Sequence, residues 1–417
     1  MHRPSGDRVQ DGPGLARSTA TGKGDGFLGF SRTIYLLGAS NLVMSAGRSA
    51  AWLFLPILLY TSYHLSFLYV GALVSLVIPV SLLSAIVGGA ASDRYGRRAF
   101  LAYPPLAYAL VSFLLYEFWS QGLLVVMGLW AANMFLGNVG SGAQNALMTD
   151  VSEETRRMSV FSLLRIFGNA GFAIAPALGG LLASQFGIPV VFLVACVAAL
   201  AGGLLLTLFL EETRHESPPS ARPLRETASF PFHDSMFLAL GVLGIGLTLA
   251  AGQFGTALSL FSVGVRHFSY EQVGWLYSLN GIIVVTLQMP VAWGLRRQHL
   301  LWMALGTLCY GAAFMLFYVG TVYAVFLVAM GILTIGENVV SPLQNTIVAA
   351  LATRDTRGSY FGAYAAITNG ANVFAPSLGT LLLGTGNSLL LWGTFALLTV
   401  IVAAGYVALR KRMPHLP

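Results

Sequence analysis

Twelve long apolar runs fill almost the whole of this 417-residue chain and restrict what it can fold into. A helix that crosses a bilayer needs about 20 mostly apolar residues, and the runs are close to or above that length. Only 9% of the residues are charged, against about 25% in ordinary soluble domains. The sequence therefore excludes a water-soluble globular protein and predicts an all-α integral membrane protein with twelve transmembrane helices. The runs cover residues 33–61, 66–90, 99–118, 122–148, 158–184, 188–210, 236–265, 270–294, 300–318, 322–349, 359–384 and 388–409.

A charged segment divides the runs into six and six. It contains Pro218-Pro219 and begins at Glu211-Glu212, and it is the longest polar break between runs. The predicted organisation is a polar tail (1–32), an N-terminal six-helix bundle (33–210), a linker (211–235), a C-terminal six-helix bundle (236–410) and a short tail (411–417).

The basic residues are distributed unevenly between the two sides of the predicted membrane. The tails and the loops after runs 2, 4, 6, 8 and 10 carry 20 of the 23 Lys and Arg residues, whereas the opposite loops carry only Arg266. Because loops rich in Lys and Arg stay in the cytoplasm, both tails and the linker are expected there, in a multi-pass protein of the cell membrane. Topology thus accounts for the net charge of +7, and no nucleic-acid partner is expected.

The two halves repeat each other in sequence. The segment Val70-Gly71-Ala-Leu-Val-Ser75 in run 2 returns as Val273-Gly274-Trp-Leu-Tyr-Ser278 in run 8, and Ala175-Pro176 in run 5 returns as Ala375-Pro376 in run 11. Further polar identities recur 200 positions apart: Ser141 and Ser341, Gln144 and Gln344, Asn145 and Asn345, Asn169 and Asn369. Parallel repeats of six helices predict two pseudo-symmetric bundles with a substrate site between them near the midplane.

The loop after run 2 carries a motif with a recognisable spacing. It reads Gly89-Ala-Ala-Ser-Asp93-Arg94-Tyr-Gly96-Arg97-Arg98. This resembles the signature of the major facilitator superfamily, at the position that the family gives it. The resemblance implies the major facilitator fold, and it implies that these residues, with Asp150 as the partner of Arg97, form a cytoplasmic gate.

Run 5 carries a second motif, Gly171-Phe-Ala-Ile-Ala175-Pro176-Ala-Leu-Gly179-Gly180. It resembles the antiporter signature of the superfamily, with Ala175 in place of one glycine, and an ordinary small-residue packing face would have the same composition. Run 4 departs from many proton-coupled members, because Asn133 stands where they place an arginine.

Three ionisable residues lie well inside the runs, namely Arg48, Arg165 and Glu337. Each costs about 2.5–3.5 kcal/mol on insertion scales, so such residues face a cavity or a partner. Arg165 is expected to extend to the membrane–water interface or to Asp150; the alternative is a contact with an anionic substrate. Further polar residues lie three, four or seven positions from one another on the same helix faces as Arg48 and Glu337. These polar stripes are expected either to line a substrate cavity or to form hydrogen bonds with neighbouring helices. The expected lining is Asn41, Ser45, Arg48, Asn138, Ser141, Gln253, Glu337, Ser341 and Gln344.

Glu337 is the expected centre of proton coupling. Gly336-Glu337 followed by Pro342 resembles a pattern of the multidrug/proton antiporter branch of the superfamily. The resemblance implies that Glu337 exchanges a proton for substrate, sharing charge with Arg48. A fixed ion pair between Arg48 and Glu337 is the alternative.

Together these features predict a monomeric secondary transporter that works by alternating access and exports amphipathic or drug-like small molecules against protons. Uptake or facilitated transport of a polar metabolite is the alternative within transport. An enzyme is not expected, because the loops are short, and neither a metal site nor a cofactor is expected. A non-transporting receptor or scaffold remains the alternative from another class.

Overall fold

A computed structural model describes residues 30–152, 157–211, 231, 233–295, 298–353 and 356–412. Within these ranges the chain forms twelve helical rods and no strand. The rods are α1 (Arg32–Thr61), α2 (Phe67–Tyr95), α3 (Arg97–Phe118), α4 in two segments, α4a (Leu123–Val139) and α4b (Ser141–Val151), α5 (Arg157–Phe186), α6 (Val190–Phe209), α7 in two segments, α7a (Ser235–Ala251) and α7b (Thr256–Gly264), α8 (Tyr270–Gly294), α9 (His299–Val319), α10 (Tyr323–Leu351), α11 (Arg357–Leu383) and α12 (Ser388–Arg412). Most of the predicted tails and linker lies outside the described residues.

The lengths and composition of the rods suit a bilayer. Of the described rods, 11 are long and apolar enough to cross a membrane, and α11 has the length but a more polar sequence that includes Thr368, Asn369 and Asn372. Large apolar side chains such as Leu76 and Leu124 point outward and are exposed. Since hydrocarbon chains solvate such side chains, an exposed apolar surface is expected of a membrane protein. The predicted all-α membrane architecture is confirmed.

The rods form the two predicted six-helix bundles. In the first, α1 packs on α5 and α6, and α3 packs on α4a and α6; in the second, α9 packs on α10 and α12. We call the face where α1 begins and α12 ends the terminal face, and the other the opposite face. The odd-numbered rods run away from the terminal face and the even-numbered rods run towards it.

Two rods are interrupted inside the apolar region, and side chains satisfy the freed carbonyls. At the break in α7 the Tyr277 hydroxyl donates to the carbonyls of Phe254 (2.5 Å) and Gly255 (3.0 Å). At the break in α4 the guanidinium of Arg48 donates to the carbonyl of Gly137 at 2.9 Å. No water is available in hydrocarbon to do this, so a broken helix is tolerated only where the protein supplies the donors.

Near the opposite face α8 docks on α5 across the bundle interface. The backbone N–H of Ala177, directly after Pro176, donates to the Ser278 hydroxyl at 2.9 Å. Gly274 lies against the carbonyl of Pro176, so closely that no side chain fits there. Glycine is therefore required at this crossing because two backbones meet.

The second crossing, between α2 and α11, repeats the first with the bundles exchanged. The N–H of Ser377, directly after Pro376, donates to the Ser75 hydroxyl at 3.2 Å, and the two serine hydroxyls are 2.8 Å apart. Gly71 lies against Thr380 and the carbonyl of Pro376. We call the two crossings together the seal. The internal repeats found in the sequence are thus the surfaces through which each bundle docks on the other.

The seal closes the interface near the opposite face and leaves a cavity on its terminal side. Beyond the Ser75–Ser377 contact, α2 and α11 separate and line a cavity with Ile78, Ser81 and Asn372. The structure is therefore closed at the opposite face.

We predict that Gly274→Leu opens the seal. Overpacking costs about 1–3 kcal/mol, which lowers the population of the sealed state by about 5- to 150-fold. The measurement is thiol labelling, from the opposite face, of a cysteine placed at Asn372 in a variant that lacks Cys196 and Cys309. Gly294→Leu on the same helix is the matched control, because nothing lies within 4 Å of Gly294. Equal labelling of the two variants contradicts the assignment of the seal.

Candidate functional site

A cavity of about 270 Å³ lies between the bundles on the terminal side of the seal. Helices α1, α2, α4a, α7 and α11 contribute to its wall. The wall is mainly apolar and aromatic, with Trp52, Trp130 and Met134, and it has polar positions at Thr256 and Asn372. None of the residues that line it carries a charge. We call this space the aromatic cavity; its chemistry suits the body of an amphipathic molecule.

An aromatic cluster joins the two bundles at one side of this cavity. The rings of Trp52 on α1 and Phe254 at the break of α7 are stacked with their centroids 6.4 Å apart, and Phe172 on α5 is 6.4 Å from Trp52 and 6.5 Å from Phe254. The Phe254 ring also contacts Tyr277 on α8, at 4.8 Å. Because these rings come from both bundles, any rocking of the bundles must rearrange the cluster.

Glu337 lies on α10 and is partly buried in the C-terminal bundle. Its carboxylate accepts a hydrogen bond of 2.9 Å from the Asn280 amide on α8, and the same amide donates to the Thr334 hydroxyl at 2.9 Å. Gly336 packs directly on the carbonyl of Gly306 and lets α10 approach α9 closely. The carboxylate is thus held by a neutral donor within its own bundle.

Arg165 on α5 is the cation that faces Glu337 from the other bundle. Its guanidinium donates to the Ser341 hydroxyl at 2.7 Å, and Ser341 lies one helical turn from Glu337 on α10. With its amide oxygen turned towards Arg165, Gln288 on α8 also accepts from the guanidinium at 3.2 Å. Arg165 therefore bridges the bundles. Among the described residues, Asp150 pairs with Arg97 and not with Arg165. We call Arg165, Gln288, Ser341, Glu337 and Asn280 the charge cluster.

The structure does not pair Arg48 with Glu337, and the sharing of charge between them stays a prediction. Arg48 lies inside the N-terminal bundle, where it donates to Gly137 of α4a and lies beside Tyr108 of α3. Among the described residues, the fixed Arg48–Glu337 ion pair is also absent. The reason is that the carbonyl freed by the break in α4 attracts the guanidinium into its own bundle.

The predicted polar stripes divide between cavity wall and helix packing. Asn41 and Ser45 donate to carbonyls of α5, at Leu164 (3.1 Å) and Gly168 (2.8 Å), so they tie α1 to α5. Gln344 bonds the Tyr364 hydroxyl of α11 at 3.3 Å. The residues that line a polar crevice beside Arg48 include Asn41, Asn138 and Ser141.

Gln253 was expected to line the cavity, but it is not among the residues of the cavity wall. Its side chain is fully buried, and its amide donates to the carbonyls of Leu249 (2.7 Å) and Ala375 (3.1 Å). These two hydrogen bonds occupy the side-chain amide of Gln253 at the break in α7 and connect the end of α7a to α11. Asn133 is also fully buried and bonds Ser112 of α3 at 3.2 Å, which leaves it no part in a cavity.

The small residues of the α5 motif are contact points for two neighbouring helices, α1 and α8. Gly171 lies against the backbone of α1 at Leu42, Gly179 against Ala50 of α1, and Gly180 against the carbonyl of Tyr270 on α8. Pro176 supplies the carbonyl on which Gly274 rests. The antiporter-type motif therefore has a physical task here, as the α5 half of the seal.

The loop motif after α2 ties together the ends of the N-terminal bundle at the terminal face. Arg97 and Asp150 form the predicted ion pair, which joins α3 to α4b. Arg98 donates to the carbonyl of Thr207 at the end of α6 (2.9 Å), where a cation also complements the helix dipole.

The remaining motif residues set the shape of the loop. Gly96 has a φ of 99°, which only glycine adopts without strain, and Gly89 meets Gly142 of α4b at close range. Arg94 is exposed and lies over the Tyr95 ring at 5.4 Å. The side chain of Asp93 lies outside the described part of the structure, and the gating role of the motif stays a prediction.

Sequence reasoning missed the aromatic cavity and the role of Arg165 as a bridge. Aromatic residues in apolar runs carry no signal that separates cavity from lipid, so Trp52 and Phe254 did not stand out. The partner of Arg165 depends on how α5 meets α10 across the interface. The charge of Arg165 inside a run was the available signal.

Comparison with known proteins identifies the family. Residues 37–367 match the model of the Major Facilitator Superfamily. The chain is 24% identical over 396 residues to the uncharacterised MFS-type transporter YdeE of Escherichia coli (strain K12), covering 92% of this chain and 96% of that protein. It is 25% identical over 359 residues to a Na(+), Li(+), K(+)/H(+) antiporter of Planococcus maritimus, covering 77% and 84%.

A solved structure gives the same fold. A mutant of the peptide transporter POT, in complex with sulfate, superposes with a TM-score of 0.79 at 16% identity and covers 94% of this chain and 96% of that one. The family and these relatives are transporters and not enzymes. The chain belongs to the Major Facilitator Superfamily and is a multi-pass membrane protein that transports a small molecule as a secondary transporter.

Proposed function

We propose that this transporter exports amphipathic or drug-like small molecules in exchange for protons, by alternating access of the aromatic cavity. The observation that carries the proposal is the charge cluster. A carboxylate from the C-terminal bundle, Glu337, faces a cation from the N-terminal bundle, Arg165, next to the cavity-forming interface. Ionisable residues within membrane spans are costly and typically belong to a substrate, ion or proton pathway.

A proton on Glu337 would change how the two bundles attract each other. The deprotonated carboxylate attracts Arg165 across the interface, whereas the protonated carboxyl keeps only its neutral partner Asn280. Since the two charges belong to different bundles, protonation alters the free-energy difference between the two arrangements of the bundles. A cationic group on the substrate would compete with Arg165 for the same carboxylate.

The terminal face is assigned to the cytoplasm, in the cell membrane. Among the described residues it carries Arg94, Arg97, Arg98 and the C-terminal Arg410-Lys411-Arg412 cluster, whereas Arg266 lies at the opposite face. This asymmetry follows the positive-inside rule. The sealed face then points outward.

Export by antiport is supported by the α5 motif and by the similarity to the cation/proton antiporter of Planococcus maritimus. Both bundles of the site come from one chain, so we propose a monomer as the working unit. Uptake or facilitated movement of a polar metabolite is the second candidate, favoured by the polar crevice beside Arg48. The experiment follows ethidium in cells that express the protein. Extrusion against the gradient that an uncoupler abolishes supports proton-coupled export, whereas equilibration without movement against the gradient supports facilitated transport.

We predict that Glu337→Gln abolishes proton-driven transport in proteoliposomes and retains downhill exchange. The amide keeps the volume of the side chain and its hydrogen bonding, but it cannot release a proton. The measurement is ethidium movement driven by an imposed pH gradient. Glu271→Gln is the matched control, since Glu271 is an exposed acid at the start of α8. Full coupling in Glu337→Gln would remove this residue from the mechanism.

We predict that Asp150→Asn slows transport by about fivefold or less, because a partly exposed ion pair contributes about 0.2–1 kcal/mol. The exchange of charges in Arg97→Asp with Asp150→Arg should restore part of the rate. The measurement is the initial rate of ethidium transport, with Arg94→Ala as the control for loss of a loop cation. If the exchanged pair is no faster than Asp150→Asn, the ion pair does not act as a gate.

A further inference from the structure

A polar crevice of about 250 Å³ opens between the helices of the N-terminal bundle, apart from the aromatic cavity. Helices α1, α3, α4 and α6 form its wall, and Arg48 is its charged residue. The polar residues of the wall are Ser40, Asn41, Asn138, Ser141, Gln144 and Asn145. A polar crevice around a cation in a membrane-spanning bundle calls for a counter-charge.

No carboxylate supplies that counter-charge among the described residues of these four helices. Their acids are Glu117, at the far end of α3, and Asp150, which pairs with Arg97. The neighbour of Arg48 from α3 is Tyr108, whose hydroxyl is buried and has no hydrogen-bond partner. A partly buried cation without an anion within a membrane span is costly, so the site is incomplete as it stands.

The hydrogen-bond donors around the crevice are also underused. A guanidinium has five N–H donors, and among the described residues Arg48 has one hydrogen-bond acceptor, the Gly137 carbonyl at 2.9 Å. The side chains of Ser141 and Gln144 make no hydrogen bond to other described residues, and both line the same crevice. Spare donors around a cation with no acid are the arrangement that a carboxylate or similar small anion requires.

We propose that the Arg48 crevice binds a small anionic group, namely the carboxylate of an amphipathic substrate. The assignment of the anion to a transported substrate rests on the proposed function. The existence of an anion site at Arg48 does not depend on it. A purely structural role, in which Arg48 only caps the broken end of α4a, accounts for one donor. It leaves the polar wall of the crevice unexplained.

The test uses the purified full-length protein and compares 4-phenylbutyrate with its neutral amide, 4-phenylbutyramide. Binding is measured by the rise in melting temperature and by tryptophan fluorescence, without a proton gradient. The variants are Arg48→Met, Arg48→Lys and Arg266→Met. Arg266 is a matched control because it also donates to helix-end carbonyls, those of Phe317 (3.5 Å) and Tyr318 (2.6 Å).

The native protein and Arg266→Met should bind the carboxylate more tightly than the amide. Arg48→Met should weaken carboxylate binding by about 10- to 100-fold and leave amide binding unchanged. Arg48→Lys keeps the charge and should retain part of the preference. If Arg48→Met lowers the melting temperature but keeps the preference for the carboxylate, Arg48 is only a cap and the proposal is overturned.

The source of the anion is resolved by competition with chloride at constant ionic strength, with gluconate as the replacement. If chloride binds in an Arg48-dependent manner and displaces phenylbutyrate, the anion site stands and an inorganic anion is its occupant, which overturns the substrate assignment. Because binding is read without a gradient, loss of proton-driven transport elsewhere leaves this result unaffected. An equal affinity for carboxylate and amide in the native protein overturns the site itself.

Discussion

The absence of water in the bilayer interior constrains every polar group in this structure. A carbonyl, an amide or a charge within a span either finds a protein partner or lines a space that water or substrate can reach. Tyr277 and Arg48 donate to the carbonyls freed at the breaks in α7 and α4. The amide of Gln253 donates to a carbonyl next to the break in α7. Well inside the described spans, the charged side chains are Arg165 and Glu337 in the charge cluster and Arg48 at the polar crevice. These are therefore the places where chemistry is expected.

The duplication of the sequence explains how one closure is built from two similar contacts. Each bundle offers a glycine and a serine on one helix and a proline on another, and the two sets dock crosswise. Ser75 accepts from the residue after Pro376, and Ser278 accepts from the residue after Pro176. Contacts made through backbone atoms and small side chains part without leaving large apolar surfaces behind. Such a seal suits a protein whose bundles must separate and meet again.

Much of the fold could be predicted from hydropathy, because the bilayer imposes both the length and the apolar character of each span. The first run, predicted at 33–61, is a helix over Arg32–Thr61, and the Arg97–Asp150 pair followed from a motif with fixed register. The break in α7 did not, since Gly252, Gln253 and Gly255 are short interruptions within an otherwise apolar run. The pairing of Arg165 with Ser341 could not be predicted either. It depends on the relative position of two bundles, which varies with the state of the transporter and is not encoded locally.

The most direct test of the central claim measures two distances on the same pair of helices. Spin labels at Tyr69 and Leu381 report on the sealed ends of α2 and α11, and labels at Tyr95 and Gly358 report on their ends at the terminal face. Measured in lipid nanodiscs at low and high pH, the two distances should change in opposite directions as the cavity changes sides. If both distances stay fixed, or if both lengthen together, the bundles do not rock about the cavity and the account is contradicted.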